Sequence, residues 1–174
     1  MTPLDLLHIS LSDQCLYGFA NAELRLRLPV STALNGAGER EGSGCTPRGR
    51  HRVQERIGEG LPEGAVFKAR RWTGEVWTPE LHGACPGRDW ILTRILWLGG
   101  CEPGINQGGD VDTFRRYIYL HGAPACEPMG VPLSHGCVRL RNPDLLELFA
   151  RVPLDCAVQI EEAPCPIWAS MPLP

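Results

Sequence analysis

The segment SHGCVRL, residues 134–140, places a cysteine directly after a glycine and before a run of alternating apolar and charged residues. Cys137 becomes a nucleophile when a neighbouring base accepts its proton or an electropositive environment lowers its pKa. His135 lies two residues before it, but His121 is the better base, because it ends the run RRYIYLH beside Gly122, where a loop begins. Catalytic residues are often placed where a rigid strand meets a loop. We therefore expect a thiol with a lowered pKa at Cys137, paired with His121.

The neighbours of Cys137 predict a substrate pocket. Gly136 lets the backbone approach a ligand closely, and the N–H groups around Gly136 and Cys137 could stabilise an oxyanion. Arg139 follows the cysteine by two residues, so on a strand its guanidinium would project to the same side as the thiol. A guanidinium there could bind a substrate carboxylate through two hydrogen bonds. For His135, a role in shaping the loop is at least as well supported as a role in catalysis.

Two readings compete with a nucleophile at Cys137. A free cysteine is often a small buried hydrophobic residue with no chemistry. Alternatively, four nitrogen and sulfur ligands that would suit zinc are available nearby, although their spacing contains no CxxC or HxxxH pair. These are His121, Cys126, His135 and Cys137. The alternative of another class is thus a zinc-stabilised binding module without turnover, whereas our main prediction has no metal and no cofactor.

Length and composition are those of one ordinary globular domain. We predict a single catalytic domain over residues 1–174, with its core at 4–161, which is long enough to bury a core without covalent staples. The net charge of −3 argues against a nucleic-acid partner, and the arginine pairs at 70–71 and 115–116 are interpreted as solvated strand faces. No stretch approaches the ~20 apolar residues of a membrane-spanning helix, so no membrane partner is predicted.

The eight cysteines make the cellular compartment important, because an even number in a secreted protein suggests disulfides. The first residues, MTPLDLLHISLSDQ, show no cationic segment, and Asp5, His8 and Asp13 interrupt the apolar run. They therefore do not read as a signal peptide. We expect a cytoplasmic protein in which most cysteines are free thiols.

Hydrophobic periodicity predicts a mainly β protein. Residues 58–88 show no interpretable pattern, and the Gly-rich stretch at 35–44 reads as a surface loop. Tyr117, Tyr119 and His121 would share one face of their strand. The strands are predicted at residues 4–11, 15–20, 23–31, 51–57, 90–98, 115–121 and 156–161.

One helix is predicted directly after the cysteine segment. Asn142 is a favourable N-cap, Pro143 suits the first helical position, and Pro153 ends the helix. An apolar stripe at helical spacing would face the core; it consists of Leu145, Leu148, Phe149 and Val152.

These motifs together resemble the catalytic signature of the L,D-transpeptidase family, also called the YkuD domain. In that signature a His-Gly pair is followed, after a loop, by Ser or Thr, any residue, Gly-Cys, an apolar residue, and Arg or Asn. His121-Gly122 and residues 134–139 match it position by position. TPRG at 46–49 resembles the TP-x-G turn of the family, so the resemblance covers roughly residues 4–161.

The resemblance implies a mainly β fold, a β-sandwich or barrel-like YkuD domain with one short helix after the catalytic cysteine. It also implies that the cysteine attacks the L,D peptide bond before D-alanine in a murein tetrapeptide, and that the resulting thioester passes to water or to an amine. Cys137 would be the nucleophile and His121 the general base, oriented by a backbone carbonyl or, less favourably, by Asp112. The pocket residues implied are Ser134, His135, Gly136, Arg139, Gly122 and Tyr119.

Many family members cross-link murein outside the cytoplasm, whereas we expect this chain to be cytoplasmic. It resembles the signal-less members, which are thought to trim tetrapeptide to tripeptide in peptidoglycan recycling. We therefore expect an L,D-carboxypeptidase whose partner is a soluble muropeptide, with L,D-transpeptidation in cell-wall cross-linking as the alternative. The sequence does not indicate an oligomeric state.

Overall fold

The computed structural model describes residues 2–165, and its regular structure is mostly β, as the sequence predicts. No helix in this range is long and apolar enough to cross a membrane. In chain order the elements are β1 (Leu6–Ser10), β2 (Cys15–Ala20), β3 (Glu23–Pro29), β4 (Gly49–Ile57), β5 (Ala65–Lys68), β6 (Arg71–Val76), α1 (Pro79–Ala84), β7 (Ile91–Gly100), a 3₁₀ turn (Gly109–Val111), β8 (Tyr119–Gly122), β9 (Val138–Leu140), α2 (Asn142–Arg151) and β10 (Ala157–Glu161).

The ten strands of residues 2–165 belong to one mixed sheet that branches at β7. Eight strands follow the order β3-β2-β1-β10-β4-β7-β5-β6. β7 also pairs antiparallel with β8, and β8 pairs in parallel with β9. β7 can pair with three strands because its start pairs with β5 at Ile91 and Leu92, whereas residues 95–100 pair with β4. Thr93, whose φ is +71°, lies at the irregularity between these two parts.

Six of the seven predicted strands are present, with ends that differ by at most two residues. The prediction of a strand at 115–121 is wrong in its first half, because the strand spans Tyr119–Gly122. A turn closed by a hydrogen bond from the Tyr117 N–H to the Phe114 carbonyl precedes it, and Tyr117 has a φ of +59°. Tyr117 is therefore half-exposed and does not share a strand face with Tyr119.

Residues 58–88 form the hairpin β5–β6 and the short helix α1. Ala69 and Arg70 make the hairpin turn in left-handed backbone, with φ values of +48° and +63°. Thr78 caps α1 by accepting a hydrogen bond from the Leu81 N–H. The sequence did not indicate α1, because six residues are too few to show a helical period.

Helix α2 lies where the sequence predicts it, but its cap is different. Arg141 occupies the N-cap position with extended backbone, and Asn142 is the first helical residue. The Asn142 side chain instead accepts a hydrogen bond of 2.6 Å from the Thr93 hydroxyl and donates one of 3.3 Å to the Ala123 carbonyl. The start of α2 is thereby attached to β7 and to the loop after β8.

The main core holds β8, β9 and α2 together. Its buried side chains make the position of both short strands depend on core packing, where loss of one leucine side chain typically costs about 2–5 kcal/mol. From these three elements it contains Leu120, Val138, Leu140, Leu145, Leu148 and Phe149.

A buried histidine, His51 on β4, connects the sheet to the loop before β8. Its Nδ1 donates to the Gly49 carbonyl at 3.0 Å, and its Nε2 lies 3.0 Å from the Thr113 hydroxyl. Burial lowers the pKa of His51 from 6.5 to about 4. The unfolded chain therefore binds a proton at this position between pH 6.5 and pH 4 that the folded protein does not.

We predict that the protein loses stability as the pH falls through this window. The loss of unfolding free energy attributable to His51 reaches about 3 kcal/mol below pH 4, because each pKa unit between the unfolded and folded values corresponds to about 1.4 kcal/mol. Urea unfolding at several pH values measures it. A His51→Asn variant should be less stable at pH 7 but should show a shallower dependence on pH, and an unchanged slope would contradict the assignment.

Candidate active site

The parallel pairing of β8 with β9 brings the predicted catalytic residues together. His121 lies opposite Arg139 in the register, and Leu120 lies opposite Val138, the residue after Cys137. A cavity of about 120 Å³ opens at this point. It is lined by Asp89, Arg116, Tyr117, Ile118, His121, Ser134, His135, Cys137 and Arg139.

Five of these lining residues were predicted from the sequence and four were not. Asp89 lies just after the region without an interpretable pattern, so no sequence signal indicated it. Arg116 was interpreted as part of a solvated strand face, and this interpretation is wrong because the residue precedes β8 in a turn and is only partly exposed. The alternating pattern of RRYIYLH conceals that turn.

The Cys137 thiol is held between two backbone groups. It donates to the Tyr117 carbonyl at 3.3 Å and accepts from the Tyr119 N–H at 3.3 Å. Burial raises the pKa of Cys137 to about 12, and the nearby Asp89 carboxylate adds to the rise, while the Tyr119 N–H opposes it. The expectation of a lowered pKa is therefore wrong, because desolvation of a thiolate outweighs the effect of the neighbouring donors.

His121 is buried as a neutral imidazole. Its Nδ1 donates to the Gly122 carbonyl at 2.8 Å, which leaves Nε2 without a proton, as a general base requires. Burial lowers its pKa to about 4. The orienting group is thus the backbone carbonyl, and the Asp112 alternative is wrong, because that carboxylate accepts from the N–H groups of Gly108 and Arg115.

The surrounding packing explains in different ways why the two predicted positions are occupied by glycine. Gly122 has no space for a side chain, since a Cβ there would lie 2.1 Å from Asn142 Oδ1 and 2.9 Å from the Leu92 carbonyl. Gly136 has a φ of +133°, and a Cβ there would lie 3.2 Å from the Cys45 carbonyl. Both glycines therefore allow close packing beside Cys137 and His121.

Ser134 shapes the nucleophile segment from inside the protein. Its hydroxyl donates to the Cys137 carbonyl at 2.5 Å and accepts from the Gly136 N–H at 3.2 Å. The Gly136 N–H is therefore engaged and is not the free oxyanion donor expected from the sequence. Thr46 of the TPRG turn completes the arrangement by donating to the Gly136 carbonyl at 2.9 Å.

Arg139 reaches the cavity already paired with carboxylates. One amino group lies 3.0 Å from Glu127 and the other 3.6 Å from Asp89. Its side chain is 11% exposed, whereas Asp89 is 63% exposed. Asp89 is therefore the partner of Arg139 that an incoming anion would replace most easily.

The remaining predicted residues contribute less directly. His135 is exposed at the rim of the cavity, and Tyr119 contributes its backbone N–H while its ring packs edge-on against Trp97. Three of the four residues of the zinc alternative line the cavity, but within residues 2–165 no three His, Cys, Asp or Glu side chains form a group that could hold a metal. Cys126 is an exposed free thiol.

Comparison with known proteins agrees with this geometry. The family described as the YkuD L,D-transpeptidase catalytic domain matches residues 5–160. The chain belongs to this family. It is 33% identical over 97 residues to the probable L,D-transpeptidase YbiS of Escherichia coli strain K12, a match that covers 55% of this chain and 31% of that protein. It is 43% identical over 118 residues to the probable L,D-transpeptidase ErfK/SrfK of Salmonella typhimurium strain LT2, covering 61% and 38%.

This YkuD domain thus spans about a third of the length of those curated relatives. Among solved structures, L,D-transpeptidase 3 from Mycobacterium tuberculosis superposes with a TM-score of 0.56 at 15% identity, covering 92% of this chain and 62% of that one. At this identity the superposition shows a shared fold. It confirms the mainly β YkuD architecture expected from the motifs.

We predict that the alkylation rate of Cys137 by iodoacetamide rises about tenfold per pH unit from pH 7 to pH 9.5 without a plateau, because the pKa of its thiol lies near 12. The exposed thiols of Cys101 and Cys126 should react first at pH 7.5. Mass spectrometry of peptides quenched at several times measures each rate. A plateau near neutral pH at Cys137 would show that its thiolate is stabilised after all.

Proposed function

We propose that this YkuD domain is an L,D-carboxypeptidase that removes D-alanine from soluble murein tetrapeptides through a thioester on Cys137. The observation that carries the proposal is the placement of Cys137 and His121 on one cavity, with the His121 Nδ1–H donated to the Gly122 carbonyl. Family membership supports the substrate class.

The first half of the proposed reaction forms the thioester. The thiol proton leaves the Tyr117 carbonyl and moves to His121 Nε2 as the sulfur attacks the carbonyl carbon before D-alanine. Because burial disfavours both the thiolate and the imidazolium, proton transfer accompanies the attack rather than preceding it. The C–N bond then breaks, and His121 returns the proton to the leaving amine of D-alanine.

The second half of the reaction releases the tripeptide. Water gives a proton to His121 Nε2 as its oxygen attacks the thioester, and the C–S bond breaks. The sulfur recovers its proton from His121, so the enzyme returns to its initial state. An amine in place of water would give the alternative, an L,D-transpeptidase.

A cytoplasmic place in peptidoglycan recycling completes the proposal. It is supported by the state of the eight cysteines, which are all free thiols in the structure. A reducing compartment maintains that state. Fractionation of cells, followed by detection of the protein in each fraction, tests this part separately from the activity.

The decisive experiment incubates the protein with a disaccharide tetrapeptide and follows the masses of the products. We expect loss of one alanine with the native enzyme and no reaction with the Cys137→Ala variant. That variant should fold normally, because it removes only one sulfur atom from a half-buried site. A cross-linked dimer would identify the transpeptidase instead, and no product from a range of tetrapeptides would refute both activities.

A second prediction concerns the carboxylate beside Arg139. If Arg139 binds a carboxylate of the substrate, the Asp89→Asn variant should lower KM roughly two- to fivefold, because it removes the charge of an exposed carboxylate that competes for Arg139. Steady-state kinetics with the tetrapeptide measure the change. Asp155→Asn, which breaks the exposed pair with Arg52, is the matched control. A raised KM in Asp89→Asn would mean that Asp89 itself binds a cationic group of the substrate.

A further inference from the structure

The loop at residues 38–45 packs against the segment that carries the nucleophile. The Cys45 carbonyl approaches the backbone of Gly136 so closely that a Cβ there would lie 3.2 Å away. Thr46, the next residue, donates its hydroxyl to the Gly136 carbonyl. The loop is therefore one wall of the space around Cys137, and its displacement would change the surroundings of the thiol.

Arg116 holds this loop from the side of the catalytic cavity. One amino group donates to the carbonyls of Gly38 at 3.1 Å and Glu39 at 2.7 Å. The other donates to the Cys45 carbonyl at 2.7 Å and contacts the Ser43 hydroxyl at 3.4 Å. The guanidinium thus contacts both ends of the loop with a planar set of donors that lysine cannot reproduce.

Other hydrogen bonds also hold the loop. The Gly38 N–H donates to the Thr46 carbonyl at 3.0 Å, and the Asn35 side chain donates to the Ser43 carbonyl at 3.0 Å. Glu39 accepts from the backbone N–H and the guanidinium of Arg48, and the Glu41 N–H donates to the 3₁₀ turn. Arg116 differs from these partners because it also lines the cavity.

Arg116 is also connected to the thiol through the next residue of the chain. It lines the cavity, and the carbonyl of the next residue, Tyr117, accepts the Cys137 hydrogen bond. We propose that Arg116 is a positioning residue that holds the loop at 38–45 against the nucleophile segment and thereby fixes the geometry of Cys137. The effect of Arg116 on kcat rests on the proposed function, whereas its effect on the position of the loop does not.

The test compares Arg116→Gln and Arg116→Lys with the native protein, using Arg52→Gln as the control for loss of an arginine elsewhere on the sheet. In Arg116→Gln, kcat should fall about 10- to 100-fold while KM changes less than about threefold, because catalysis depends on sub-ångström placement. Trypsin should cut after Arg40 in the loop about tenfold faster, because the loop opens more often. Arg116→Lys should lie between these values, and circular dichroism should show a folded protein in each case.

Added guanidinium chloride provides a second readout. At millimolar concentrations, far below those that unfold proteins, it should slow trypsin cleavage after Arg40 and restore part of kcat in Arg116→Gln, by occupying the same carbonyl cluster. A loss of kcat without faster cleavage would assign Arg116 to direct substrate contact and overturn the proposal. An unchanged kcat in Arg116→Gln would also overturn it.

If the native protein acts on no tetrapeptide, the proposed function fails but the cleavage assay still decides the role of Arg116. The alkylation rate of Cys137 then replaces kcat. It should rise in Arg116→Gln as the loop opens and stay at the native value in Arg52→Gln. Native rates of both cleavage and alkylation in Arg116→Gln would overturn the proposal.

Discussion

Parallel hydrogen bonding between two short strands, β8 and β9, sets the position of Cys137 relative to His121. Each strand is too short to be stable alone, and both are held by the apolar core that α2 and β7 share with them. The pairing places His121 beside Arg139 and brings Cys137 to the start of β9. The segment at 134–140 and the His-Gly pair are therefore positioned by their mutual pairing together with packing against β7 and α2.

Burial at the cavity has a chemical consequence. It raises the pKa of Cys137 to about 12 and lowers that of His121 to about 4, so the resting pair is neutral. A neutral thiol is protected from adventitious electrophiles, which react with thiolates. Under the proposed mechanism, the thiol is activated only when a substrate carbonyl accepts the sulfur while His121 accepts the proton, and this couples reactivity to binding.

The parts of the site that follow from local sequence could be predicted. Cys137, His121 and the helix after them are close in the chain or have a fixed spacing, and their residue types identify the chemistry. Asp89 and Arg116 could not be predicted, because each reaches the cavity through tertiary packing that leaves no periodic pattern. The alternation in RRYIYLH even favoured the wrong structure, since a left-handed residue at Tyr117 interrupts a strand-like pattern. The prediction of Asn142 as the N-cap is wrong for a related reason: its side chain accepts a hydrogen bond from Thr93 on β7.

The two arginines of the cavity use the same cation in different ways. Arg139 faces two carboxylates, so its charge is largely balanced. The hydrogen bonds of Arg116 go instead to carbonyl and hydroxyl oxygens of the loop at 38–45, which are neutral. Arg116 thus orders the wall of the cavity through hydrogen bonds, whereas Arg139 is held inside it by ion pairs with Glu127 and Asp89.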